Sequence, residues 1–73
     1  MIIPIKKIKK PKYYINQNTK LFKQMVESII NEGVVIPIIV RVCKRKYEII
    51  DGRCRFYAAQ SAGLKEIPVT IIP

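Results

Sequence analysis

The stretch YEIIDGRCRFYAAQSAGLKEIPV, residues 47–69, contains most of what decides the fold. YEII has the β-branched, apolar character of a strand, and Asp51-Gly52 breaks it. A helix is predicted over 53–62, with Gly63 as its stop and a final strand over 66–72. At about 100° per residue, Cys54, Ala58 and Ala62 share one helical face with Ala59 beside them, which predicts a small-residue face packed on a sheet. The same phase puts Arg53, Phe56 and Gln60 on the opposite side. Arg55 falls on the flank of Ala59 and Ala62, an unusual place for a solvated arginine.

Upstream, IIVRVC, a KRK turn and YEII read as a β-hairpin. Before it, Leu21, Phe22, Met25, Val26, Ile29 and Ile30 form the stripe of an amphipathic helix, with Asn18 as its predicted cap and Gly33 as its stop. In IIPIKKIKKPKYYIN, Pro4 and Pro11 rule out a centrally paired strand, so a short edge strand and an extended loop are expected. The order is β-α-β-β-α-β. With no repeat or linker, residues 1–73 are expected to form one α+β domain with a mixed sheet.

Composition narrows the chemistry. The chain has no histidine, which removes imidazole general bases, His-dependent nucleophilic triads and His-ligated zinc. Neither zinc nor haem is expected as a cofactor. Cys43 and Cys54 both lie in apolar stretches and are expected to be free, buried thiols, as suits a reducing cytoplasm. No secretory signal pattern is present, and no apolar run approaches the roughly 20 residues of a membrane span, so no membrane partner is expected.

The net charge of +9 is concentrated: residues 1–26 carry seven lysines and no acid, while residues 27–73 carry seven basic and five acidic groups. Lys9, Lys10 and Lys12 run into Tyr13 and Tyr14, combining phosphate-neutralising charge with rings on which a base can stack. Lys44, Arg45 and Lys46 sit at the hairpin tip as a second candidate contact. Lysines also protect edge strands from aggregation, and turns are ordinarily polar, so both clusters have a plain structural reading as well.

Gly52, Arg53, Cys54 and Arg55 open the second helix, where unpartnered N–H groups and the positive end of the helix dipole favour an anion. They are the candidate phosphate site. The alternative for Arg55 is an ion pair with Asp51 or Glu48 that closes the helix entrance. If the chain is a catalyst, a carboxylate must hold Mg²⁺ or act as base, and the candidates are Asp51, Glu48 and Glu32.

The run from VESIINEGVVIPIIVRV through YEIIDGRCRFYAAQSAGLKEIPVTII resembles the N-terminal domain of the partition protein ParB, in the ParB/sulfiredoxin superfamily. The spacing of Gly52, Arg55, Ala58, Ala59, Ala62, Gly63, Leu64, Ile67 and Pro68 fits that family without a gap. The resemblance implies a nucleoside di- or triphosphate with magnesium, CTP in partition proteins and ATP or ADP in related domains, with its phosphates at the helix beginning at Gly52. It implies that Arg55 pairs with phosphate and that Pro11, Lys12, Tyr13 and Tyr14 approach the same cleft. The chain departs from the partition pattern at Arg53, Cys54 and Tyr57, where Glu, Arg and Arg are usual. The sulfiredoxin G-C-H-R motif is also absent, Arg53 holding the cysteine's place, so a sulfinic acid reductase is not expected.

Partners implied are nucleotide, DNA or both, although reading of a centromere sequence is not expected from these 73 residues. Two other readings are a metal-dependent nucleotidase, nuclease or phosphotransferase of the same superfamily, and a protein-interaction module that has lost the ligand site.

Overall fold

The computed structural model describes residues 1–13 and 15–73; the expectation for Tyr14 therefore lies outside the described residues. Strand β1 (Ile2–Pro4) leads into a 3-10 turn (Ile5–Lys7), and α1 (Lys20–Glu32) follows the basic segment. Then come β2 (Ile38–Cys43), β3 (Lys46–Asp51), α2 (Arg53–Ser61) and β4 (Glu66–Ile72). The spatial order β1-β4-β2-β3 is a mixed sheet: β4 runs parallel to β2 and antiparallel to β1, and β2 and β3 form an antiparallel hairpin. Pro4, which has no N–H to donate, lies in the edge strand β1, where a missing ladder bond costs least.

The core is one face of this sheet. Ile38 and Val40 of β2 and Ile67 and Val69 of β4 are almost fully enclosed, and Ile38 stands directly beside Val69. Arg41 and Thr70 alternate with them onto the other, exposed face. Phe56, Ala58 and Ala59 of α2 and Phe22 and Ile29 of α1 complete the cluster.

Three local expectations are corrected. The cap of α1 is Thr19, whose hydroxyl accepts from the Phe22 N–H at 3.1 Å, while Asn18 donates its N–H to Asn16 Oδ1 in the preceding turn. The buried stripe of α1 is narrower than its apolar residues suggest, Leu21 and Ile30 being exposed. Its helical partner α2 spans only about 14 Å at 1.5 Å per residue, too short to cover a wide face. The hairpin loop is Lys44-Arg45, and Lys46 already belongs to β3.

The phase of α2 is the fourth correction. Phe56 is buried, not outward-facing, and Cys54 is exposed, not packed in the core. α2 lies on β2 and is also covered by α1, so it buries two sides, and a phase drawn from its alanines alone finds only one of them. Cys43 is half-buried, so neither thiol is fully enclosed, although both are free.

The N-terminal segment takes an unforeseen path. After β1, the Ile5 N–H donates to the Lys65 carbonyl at 2.9 Å, and Ile8 then bridges in parallel to Tyr47 on β3, at the opposite edge of the sheet. The Lys9 N–H donates to the Tyr47 carbonyl at 2.8 Å. Ile5 and Ile8 are buried along the way, so apolar burial anchors a segment whose lysines stay in water. No described helix is long and apolar enough to cross a membrane.

Candidate functional site

Because the N-terminal segment ends up beside β3, residues 9–13 face the C-terminal end of β3 and the first turn of α2 across a cleft of about 880 Å³. Residues 48–55 line one side, and Ile15 and Met25 supply apolar wall. The cleft sits where β3 stops and α2 starts, and Gly52 makes that junction.

Gly52 is the N-cap of α2, with φ 110° and ψ 27°. A Cβ there would stand 2.7 Å from Ile38 Cγ2 and 2.9 Å from Ile38 Cβ, and 3.3 Å from Arg55 Nη2. Left-handed backbone and close approach to β2 both require glycine. Gly52 has no side chain with which to cap the helix, and no side-chain cap bond is formed among the described residues. The first return bond runs from the Phe56 N–H to the Gly52 carbonyl at 3.0 Å. The N–H groups of Arg53, Cys54 and Arg55 are therefore directed out of the helix without an internal partner, at the positive end of its dipole.

Arg55 is three-quarters buried, and its guanidinium is held from two sides. Nη1 donates to the Ile36 carbonyl at 3.0 Å and to the Pro37 carbonyl at 3.2 Å, and Nη2 lies 3.8 Å from Asp51 Oδ2. Of the two acids considered as its partner, only Asp51 is near; Glu48 is taken by Arg41, at 2.9 Å from Nε and 2.8 Å from Nη2. The contacts to Ile36 and Pro37 are the more telling, because they pin the connection between α1 and β2 against the helix entrance. Sequence reasoning missed them since main-chain carbonyls carry no residue-type signal.

Arg53 gains importance in the structure. Its guanidinium carbon lies 4.9 Å from the centroid of the Tyr13 ring, a cation–π contact that joins the N-terminal segment to α2 across the cleft. The only sequence signal for it was the aromatic residue following the lysines. Lys9, Lys10, Pro11, Lys12 and Tyr13 thus meet Gly52, Arg53, Cys54 and Arg55 in one cleft, together with the carboxylates Glu48 and Asp51. Glu32, at the end of α1, does not line it. Lys44, Arg45 and Lys46 do not line it either: the length of β3 separates them from Asp51, about 17 Å at the rise of a strand.

This donor set suits an anion with several oxygens. Open N–H groups and cations outnumber the two carboxylates, each of which already faces an arginine, Glu48 closely at Arg41 and Asp51 at longer range at Arg55. A magnesium ion arriving on a phosphate chain usually takes one or two protein carboxylates and keeps waters. Asp51, with 71% of its side chain exposed and only a long contact to Arg55, is the carboxylate that fits.

The family model of the ParB N-terminal domain matches residues 1–73. A probable chromosome-partitioning protein ParB from Coxiella burnetii is 47% identical over 51 residues, which is 70% of this chain and 18% of that protein. This chain spans between 16% and 25% of the length of the curated relatives it matches. Among solved structures, the C-terminally truncated chromosome-partitioning protein ParB from Caulobacter crescentus, complexed with CTP-gamma-S, superposes with a TM-score of 0.84. It is 29% identical, the match covering 99% of this chain and 43% of that one. The same protein complexed to the centromeric parS site gives 0.83 at 30% identity, covering 99% and 40%. Sulfiredoxin from Arabidopsis thaliana gives 0.79 at 31% identity, covering 99% and 84%.

Proposed function

The chain belongs to the ParB N-terminal domain family, within the ParB/sulfiredoxin superfamily, and on that premise we propose that its cleft binds a nucleoside di- or triphosphate. The observation that carries the reading is an uncapped α2 N-terminus opening between Arg53 and the lysines of residues 9–12. The likeness to a partition protein complexed with CTP-gamma-S supports it.

In this reading the N–H groups of Arg53, Cys54 and Arg55 receive phosphate oxygens, and Gly52 lets the chain come close because no Cβ stands in the way. Arg55 has a divided role. Nη1 fixes the loop before β2, while Nη2 remains at the entrance, beside Gly52, where a phosphate can replace its long contact to Asp51. Arg53 supplies a charged donor from the solvent side, and Lys9, Lys10 and Lys12 neutralise the remaining charge. The Tyr13 ring, Ile15 and Met25 are the surfaces on which a base can rest. When bound, magnesium neutralises phosphate charge, and Asp51 is the residue that would hold it.

The relatives support a wider role as a nucleotide-binding part of a DNA-partition or regulatory protein. Calorimetric titration with CTP, ATP and ADP, each with Mg²⁺, tests the proposal. Saturable binding of at least one nucleotide, weakened about tenfold or more by Arg53→Gln, is the expected result, because a charge-assisted hydrogen bond contributes about 1.5–3 kcal/mol. Binding that Arg53→Gln and Gly52→Ala both leave unchanged would refute the site.

A further inference from the structure

The grip of Arg55 on the connection between α1 and β2 also acts in the other direction. Among the described residues, the connection 34–37 forms no hydrogen bond except the two that Arg55 Nη1 donates, to the Ile36 carbonyl at 3.0 Å and to the Pro37 carbonyl at 3.2 Å. Both carbonyls meet one nitrogen, and the angle between them is set by the φ and ψ of Pro37, the one residue that lies between them. The proline ring locks that φ. Ile38, the next residue, is fully enclosed and packs against Gly52, so the β2 end of the connection is fastened beside the helix entrance.

A guanidinium presents its N–H groups in one rigid fork, so fixing Nη1 also fixes where Nη2 points. Nη2 lies 3.3 Å from where a Cβ on Gly52 would stand, and its ionic contact is the long one, 3.8 Å to Asp51. Carbonyls hold the guanidinium without cancelling its charge, as a close carboxylate would. Arg55 is therefore ordered and still cationic before any ligand arrives, and binding an anion does not have to freeze a long, free side chain. An arginine that served only to fasten the connection would gain nothing from a second arm at the helix entrance.

We propose that Pro37 is a positioning residue for the phosphates of the nucleotide: by setting the angle between the Ile36 and Pro37 carbonyls, it aims Arg55 Nη2 at the open N-terminus of α2. The inference rests on the nucleotide reading of the cleft. It assigns part of the affinity to a residue that does not line the cleft and acts only through Arg55.

The test is a double-mutant cycle in nucleotide affinity. Wild type, Pro37→Gly, Arg55→Lys and the double variant are titrated calorimetrically with whichever of CTP, ATP and ADP, each with Mg²⁺, wild type binds most tightly. Pro37→Gly is expected to weaken binding about fivefold or more, but to add less than about twofold in the Arg55→Lys background, because the two residues act as one unit. Losses that simply add in the double variant, or a Pro37→Gly variant that loses thermal midpoint but binds as tightly as wild type, would overturn the proposal. If Pro37→Gly does not fold, the wild-type chain decides without it. Nitrogen NMR of the Arg55 guanidinium in the absence of nucleotide is expected to show separate Nη1 and Nη2 signals, the mark of hindered rotation, and a single averaged signal would overturn the inference. A wild type that binds no nucleotide removes the reading of the cleft and this inference with it, whereas a failed cycle in a chain that does bind removes the inference alone.

Discussion

The α2 entrance and the hairpin tip are both basic, yet the chain treats their charges in opposite ways. At the entrance each arginine is oriented: Arg53 by the Tyr13 ring and Arg55 by two main-chain carbonyls, around a glycine that no other residue can replace without strain. At the tip, Lys44, Arg45 and Lys46 are exposed and form no ion pair among the described residues. Oriented donors around a cavity can distinguish one shape of anion from another, whereas loose cations respond to charge density. Similar residue types thus produce a cleft with ordered donors in one place and a diffuse field in the other, and the difference comes from the main chain beneath them.

Substitutions can break this contrast, and the largest effect is expected at Gly52. Gly52→Ala drives a methyl into Ile38 at 2.7 Å and imposes an unfavourable φ, so overpacking and backbone strain together should cost about 3 kcal/mol or more. Urea denaturation measures this, and a loss below about 1 kcal/mol would mean that the junction is looser than its contacts imply.

Arg55→Ala comes next. It leaves two carbonyls without their charged donor and frees the loop before β2, at a cost of about 1.5–3 kcal/mol, and it should weaken nucleotide binding as well. A variant that lost binding with no change in thermal midpoint would show that Arg55 serves the ligand alone. Arg53→Gln should do the reverse, shifting stability by less than about 1 kcal/mol, in line with an exposed cation–π contact, while reducing nucleotide affinity. Least of all is expected from Arg41→Ala on the exposed face of the sheet. Its pair with Glu48 involves a half-exposed arginine and should contribute no more than about 1 kcal/mol by thermal denaturation.

The same contrast governs what could be read from the sequence. Element order, the mixed sheet and the stops at Gly33, Gly52 and Gly63 were legible because they depend on local backbone preference and on periodicity. Gly52 and Arg55 stood out as a pair for the same reason. Phe56 and Cys54 were misplaced because α2 buries two sides, a fact of tertiary packing that its own residues do not encode. The grip of Arg55 on Ile36 and Pro37, and the route that brings Tyr13 to Arg53, depend on where distant main-chain atoms arrive. The lysines could be counted, but only the bridge between Ile8 and Tyr47 divides them between a cleft and a tip.

The central claim, that the open helix entrance is where a nucleotide sits, is tested most directly by following backbone amide shifts during titration with CTP and Mg²⁺. The account predicts saturable shifts at the amides of Gly52, Arg53, Cys54 and Arg55 and at Tyr13, with Lys44, Arg45 and Lys46 unmoved. Shifts confined to the hairpin, or a titration that leaves the four entrance amides where they began, would contradict it.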